Sequence, residues 1–285
     1  MFDNFIWSGC SFSWGSGFID FLPDGYYLGK WKHPDFSDIF DYGKNKDTFS
    51  IREAELKVLP HTFPNLLGKK FGSSNIQNLS FPGLGTTFHI RRLTSFIEEN
   101  KNKIDLSKTF VGLQITYPGR VDIINAYKAD ESNNEYGWQF SRIFNDASML
   151  SNDAELYYKH YFDFDYEMLK KVQEILIFYR YLKSYNITSF FYGMTNTKLD
   201  NFIISKKNTN KVYSEFVNSE NHPIQVRFPK IDDVFNEIGY YETNTSFENL
   251  KDSIYNVNDF HLSPKGHIDC ANDIYSHLKN NSNYM

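Results

Sequence analysis

A hydroxyl, an imidazole and a carboxylate stand at opposite ends of this 285-residue chain, and together they are the parts of an acyl-transfer site. Ser11 lies between Gly9 and Gly15, just past a short apolar run, where a strand gives way to a turn or a helix. A serine there can expose its Oγ at a sheet edge beside backbone N–H groups, which suits a nucleophile with an oxyanion site. The same position also suits a helix cap. Near the other end, Asp259 stands two residues before His261, in a loop directly ahead of a helix. A histidine held there by a carboxylate can act as a general base, and read by itself the segment is a polar loop.

Several other chemistries have no foundation in the sequence. There is no G-x-x-x-x-G-K-[ST] phosphate loop, no G-x-G-x-x-G and no H-E-x-x-H. Gly83-Leu84-Gly85 is a fragment of a glycine motif and reads as a turn. His261 and His267 are the only close pair of histidines, and their spacing is poor metal geometry; Cys10 and Cys270 also lack ligand spacing. A metal site is therefore not expected.

The elements that would position such groups are legible as short apolar runs alternating with helical patterns. Phe5-Ile6-Trp7 breaks at Ser8-Gly9, and Ile76 to Phe81 ends at Pro82-Gly83. Thr109 to Ile115 ends at Thr116-Tyr117-Pro118-Gly119, and Ile187 to Tyr192 ends at Gly193. Each reads as a buried strand closed by turn residues. Residues 86–100 carry Phe88, Leu93 and Phe96-Ile97, and residues 166–184 carry an apolar stripe at spacings of three and four. A final helix starts with Ser263 as cap and Pro264 at its first position, with Ile268, Ala271, Tyr275 and Leu278 as its face. This alternation predicts a parallel sheet covered by helices on both faces. Residues 16–60 and 126–164 do not follow the rhythm. They read as surface loops with short helices, or as insertions that wall or cap a site. No linker or repeat interrupts the chain, so a single domain over 1–285 is expected.

Composition narrows the partners. Thirty Lys+Arg against 35 Asp+Glu leave a net charge of −5, which argues against a chain that binds the nucleic-acid backbone. Apolar residues at 41% with 23% charged are those of a globular protein. No run approaches the ~20 apolar residues of a membrane span. The start, MFDNFIWSGCSF, lacks the basic and apolar regions of a signal peptide, so a cytoplasmic location is expected. Aromatic residues reach 18%, enough for a dense core, a ring-lined binding surface, or both. The same bias is what an AT-rich genome produces.

Three segments taken in order resemble the conserved blocks of the SGNH, or GDSL, hydrolases. Gly9-Cys10-Ser11-Phe12 resembles the first block, Gly-Asp-Ser-Leu, with Cys in place of Asp. Asn78-Leu79-Ser80-Phe81-Pro82-Gly83 resembles the second, whose glycine N–H contributes to the oxyanion hole. Asp259-Phe260-His261-Leu262-Ser263-Pro264-Lys265-Gly266-His267 resembles the last, which carries the acid and the histidine before the final helix. The resemblance spans nearly the whole chain. It implies a three-layer α/β/α sandwich, with a flavodoxin-like parallel sheet of about five strands, and no metal or cofactor. It implies catalytic roles for Ser11, Asp259 and His261, with Gly83 in the oxyanion hole.

Two departures bear on those roles. The third block, Gly-x-Asn-Asp, has no Asn here: the place reads Gln114-Ile115-Thr116-Tyr117-Pro118-Gly119-Arg120. Thr116 is the nearest replacement donor and Gln114 the second choice, while Arg120 can supply positive charge to substrate. Asn196 follows a glycine but comes after the fourth strand, so it is set aside. In the last block the family acid stands three before the histidine, where this chain has the neutral Asn258; Asp259 carries the charge one residue later. Cys10 as nucleophile is the remaining variant.

The expected activity is a serine esterase that cleaves an O-acyl ester, with an O-acetylated glycan as substrate. Trp14, Trp31 and Trp138 are then candidates to stack on sugar rings, unless they are core. The same site could transfer the acyl group to a polysaccharide hydroxyl, and a degenerate domain would only bind glycan. The expected partner is a small-molecule or glycan acyl ester, with neither nucleic acid nor membrane. The oligomeric state is not legible in the sequence.

Overall fold

The computed structural model describes residues 2–10, 13, 15, 59–81, 85–116, 121–125, 139–143, 164–193, 231–242, 262, 264–281 and 284. Its strands are β1 (Asn4–Ser8), β2 (Asn75–Asn78), β3 (Thr109–Gln114), β4 (Val121–Asn125), β5 (Gln139–Ile143), β6 (Thr188–Gly193) and β7 (Tyr241–Glu242). Its helices are α1 (Phe63–Lys70), α2 (Thr86–Asn100), α3 (Phe164–Ser184), α4 (Ile231–Ile238) and α5 (Pro264–Asn280). Five strands form one sheet in the order β2-β1-β3-β6-β7, and every pair in it is parallel.

That order is the flavodoxin-like one, reversing direction between β1 and β3. The step from β1 outward to β2 carries α1 on one face. The steps β2 to β3, β3 to β6 and β6 to β7 run the other way and carry α2, α3 and α4 on the opposite face. Right-handed crossovers require this division, because reversing the step reverses the face. Helix α5 returns to lie beside α1. The result is the three-layer α/β/α sandwich expected from the alternation.

The two faces are packed with different chemistry because side chains alternate along a strand. On the α1/α5 side lie Phe5, Trp7, Phe110, Phe190 and Tyr192, with Phe63 and Leu67 of α1 and Ala271, Ile274 and Leu278 of α5. On the other side lie Ile6, Val111, Leu113 and Phe191, against Leu93 and Ile97 of α2, the α3 stripe, and Val234, Phe235 and Ile238 of α4. Much of the aromatic excess is therefore core: the Phe5 and Phe110 rings stack at 5.0 Å and 6°. Each fully buried ring of this kind contributes roughly 1.5–3 kcal/mol. The Trp7 ring fits because its partner on β3 is Gly112. A Cβ there would stand 1.9 Å from Trp7 Cε3.

Several expectations are corrected. The core face of α5 is Cys270, Ala271, Ile274 and Leu278, while Ile268 and Tyr275 are half-buried at its margins. That face is rotated because α5 packs on α1 as well as on the sheet. The segment 126–164 is not only loops and short helices, since β5 lies in it and pairs antiparallel with β4 in a separate two-stranded sheet. Helices α1 and α4, at eight residues each, are too short for their periodicity to stand out. Among the described residues no helix is long and apolar enough to cross a membrane.

Candidate active site

In a sheet of this order, ligands bind beyond the carboxyl ends of the strands where the order reverses, here between β1 and β3. Ser11, Trp14, Gly83, Arg120, Trp138, Asn258, Asp259 and His261, and also Trp31 and Asn196, lie outside the described residues. Thr116, Gln114, Cys10 and His267 are described, together with the residues that border the others.

Beyond its last paired residue, β2 keeps following β1. Leu79 N–H donates to Trp7 O at 2.7 Å, and Phe81 N–H donates to Gly9 O at 2.9 Å. The chain is thus held edge to edge with β1 to within two residues of Ser11 on one side and of Gly83 on the other. Gly9 also runs against the tip of β3. A Cβ on it would stand 2.6 Å from Gln114 Cβ and 2.6 Å from Ser13 Oγ, so only glycine fits the first block at this point.

A buried polar network lies at this end of the sheet. Trp7 Nε1–H donates to Ser13 Oγ at 3.1 Å, and Ser13 Oγ–H donates to Gln114 Oε1 at 2.5 Å. The Cys10 thiol donates to the same oxygen at 3.5 Å. Ser13 and Cys10 are nearly or wholly buried. A thiol so placed acts as a weak donor to an amide oxygen, the part a small buried group plays. Ser8 Oγ–H donates to Leu79 O at 3.1 Å, which leaves His89 Nδ1, 3.0 Å away, to be the donor to Ser8 Oγ.

Thr116 is buried just past β3. Its N–H donates to Thr86 Oγ1 at 3.0 Å and its hydroxyl exchanges a bond with the same oxygen at 3.1 Å. Thr86 opens α2, directly after Gly85, so this pair ties the end of β3 to the start of α2. Thr86 and His89 fall on the buried stripe of α2 with Leu93 and Ile97. Polar residues at stripe positions are the signal that would have found them.

The last block is anchored through His267. Thr62 precedes α1 without a side-chain cap bond, and Phe63 N–H donates instead to His267 Nδ1 at 3.1 Å. The accepting nitrogen carries no proton, so this imidazole is neutral with its proton on Nε2. Asn78 joins the second block to the same place, donating to Thr62 Oγ1 at 3.1 Å and to Ser13 O at 2.8 Å. The start of α5, the start of α1, the end of β2 and the chain after β1 therefore meet at one edge of the sheet. On the core side, burial pushes the Cys270 thiol up to about 12, so it stays protonated against Tyr192.

The chain resembles three solved structures at low identity. A psychrotrophic esterase, EstA, from Pseudoalteromonas sp. aligns with a TM-score of 0.43 at 10% identity over 98% of this chain and 97% of that one. A carbohydrate esterase aligns with a TM-score of 0.40 at 13% identity over 99% of this chain and 70% of that one. Phospholipase A1 from Streptomyces albidoflavus NA297 aligns with a TM-score of 0.39 at 12% identity over 98% of this chain and 99% of that one. No protein-family model and no curated protein matches the chain.

Proposed function

We propose that this protein is a single-domain serine esterase that cleaves an O-acyl ester, with an O-acetylated glycan as substrate class. The observation that supports it is the run of contacts His267–Phe63, Thr62–Asn78 and Asn78–Ser13, with the Phe81–Gly9 bond beside it. It gathers the described ends of three sequence blocks, which are far apart along the chain, at the edge where such a sheet binds ligands. The glycan class rests on Trp14, Trp31 and Trp138 as stacking rings, with Arg120 as a polar contact.

The chemistry is then conventional acyl transfer. Ser11 Oγ attacks the ester carbonyl carbon as His261 takes the hydroxyl proton. The Ser11 and Gly83 N–H groups, with Thr116 as a further donor, stabilise the oxyanion. The carbonyl–alkoxy bond breaks, His261 returns the proton to the departing alcohol, and an acyl-Ser11 remains. Water attacks this ester by the same route in reverse, releasing the acid and restoring Ser11.

A fluorophosphonate probe tests the reading, because only an activated hydroxyl displaces its fluoride. Peptide mapping should find the phosphonyl adduct on Ser11. An unlabelled protein, or an adduct elsewhere, overturns it.

Asp259 orients the base on this reading, since a carboxylate stabilises the imidazolium far more than the neutral Asn258 would. Asp259→Asn should lower kcat by about 10³- to 10⁴-fold, while Asn258→Ala costs less than about tenfold. The opposite ranking in a chromogenic ester assay would transfer the role to Asn258.

A further inference from the structure

We infer that the Gln114 carboxamide is a positioning group that holds the chain at Cys10 and Ser13, on the two sides of Ser11. The inference rests on the proposed esterase reading and adds a residue to it. Gln114 is the last residue of β3, is 2% exposed, and is directed at the chain that follows β1. Its Oε1 accepts the Ser13 hydroxyl at 2.5 Å and the Cys10 thiol at 3.5 Å, the residues two after and one before Ser11. Gly9 packs against its Cβ and Oε1. Trp7 Nε1–H occupies one of the two acceptor sites of the Ser13 hydroxyl, whose proton goes to Gln114 Oε1. Ser13 O is fixed in turn by Asn78. Cys10 and Ser13, on either side of Ser11 in the sequence, are thereby bonded to one side-chain oxygen, beside which Gly9 also runs.

The group must be an acceptor, must reach from the end of β3, and must be neutral. Methionine matches the length and bulk of glutamine but offers the two donors only a weak sulfur acceptor. Glutamate accepts both bonds but sets a negative charge beside the place where an oxyanion would form. Misplacing a nucleophile by about 1 Å costs on the order of 100-fold in rate. A purely structural residue would instead lower stability and leave the folded enzyme's reactivity unchanged.

The test is the second-order rate of fluorophosphonate labelling, measured on folded protein with circular dichroism as the check, alongside kcat and KM for a chromogenic ester. Gln114→Met should slow labelling and kcat by about 10- to 100-fold with KM within about threefold. Ser13→Ala should slow both by a smaller factor, and adding it to Gln114→Met should cause little further loss, since both changes cut the same bond. Gln114→Glu should keep both acceptor bonds yet lower kcat, because a negative charge added at the end of β3 opposes the developing oxyanion. Equal labelling rates in wild type and a folded Gln114→Met overturn the inference while leaving the esterase reading intact. Multiplicative losses in the double variant also overturn it. If wild type itself fails to label, the esterase reading falls, and the inference falls with it.

Discussion

Replacing Ser11 with alanine should lower ester hydrolysis by about 10⁴- to 10⁶-fold with the fold unchanged, because the attacking oxygen is gone while the binding surface remains. The residual rate should still exceed the uncatalysed one through the oxyanion donors. The neighbouring hydroxyls are poor substitutes. Ser13 gives its proton to Gln114 Oε1 while taking one from Trp7, and Ser8 gives its own to Leu79 O. Both protons are therefore already committed to other acceptors. Cys10 is the sharper competitor, since a thiolate is a strong nucleophile. Its sulfur is buried, and its S–H points to an amide oxygen. Cys10→Ala should therefore cost far less than Ser11→Ala in the same chromogenic assay. If Ser11→Ala keeps near-full activity and Cys10→Ala loses it, the nucleophile is the thiol.

Gly112→Ala should destabilise the protein by about 3 kcal/mol or more, a large share of the roughly 5–15 kcal/mol that holds a domain together. Gly112 sits on central strand β3 opposite Trp7, and the indole occupies the space a methyl would need. The ring cannot swing aside. It is wholly buried, edge-on to Phe63 at 5.4 Å and close to Phe190 and Tyr192. Moving it would also withdraw Nε1–H from Ser13, so an added methyl in the core would reach the hydrogen bonds of Ser13. Urea denaturation should show a lower midpoint, and the folded fraction should label more slowly with fluorophosphonate. Trp7→Leu in the Gly112→Ala background should relieve the collision, making the double variant more stable than the two single losses predict by about 1 kcal/mol or more. Additive losses would mean that the collision is absorbed elsewhere.

The sheet was legible because buried parallel strands are short unbroken apolar runs closed by turn residues. Phe5–Trp7, Thr109–Ile115 and Ile187–Tyr192 each became one. Helix α2 was read at its true limits, and α5 at its true start, because a glycine turn precedes one and Pro264 opens the other. The same local signals were silent on α1, α4 and β7, which are too short to show a period.

Order along the chain also brought Ser11, Asp259 and His261 forward as candidates, by residue type and by the resemblance of their segments to the SGNH blocks. Partnership was decided elsewhere. That Gln114 answers to Ser13 and Cys10, His267 to the N–H of Phe63, and Thr116 to Thr86 depends on pairs 30 to 204 residues apart. A hydrogen bond is set by a few ångströms and an angle, and no local pattern encodes either across such distances. The reversal of strand order between β1 and β3 spans those separations, by bringing the ends of β1, β2 and β3 to one end of one sheet.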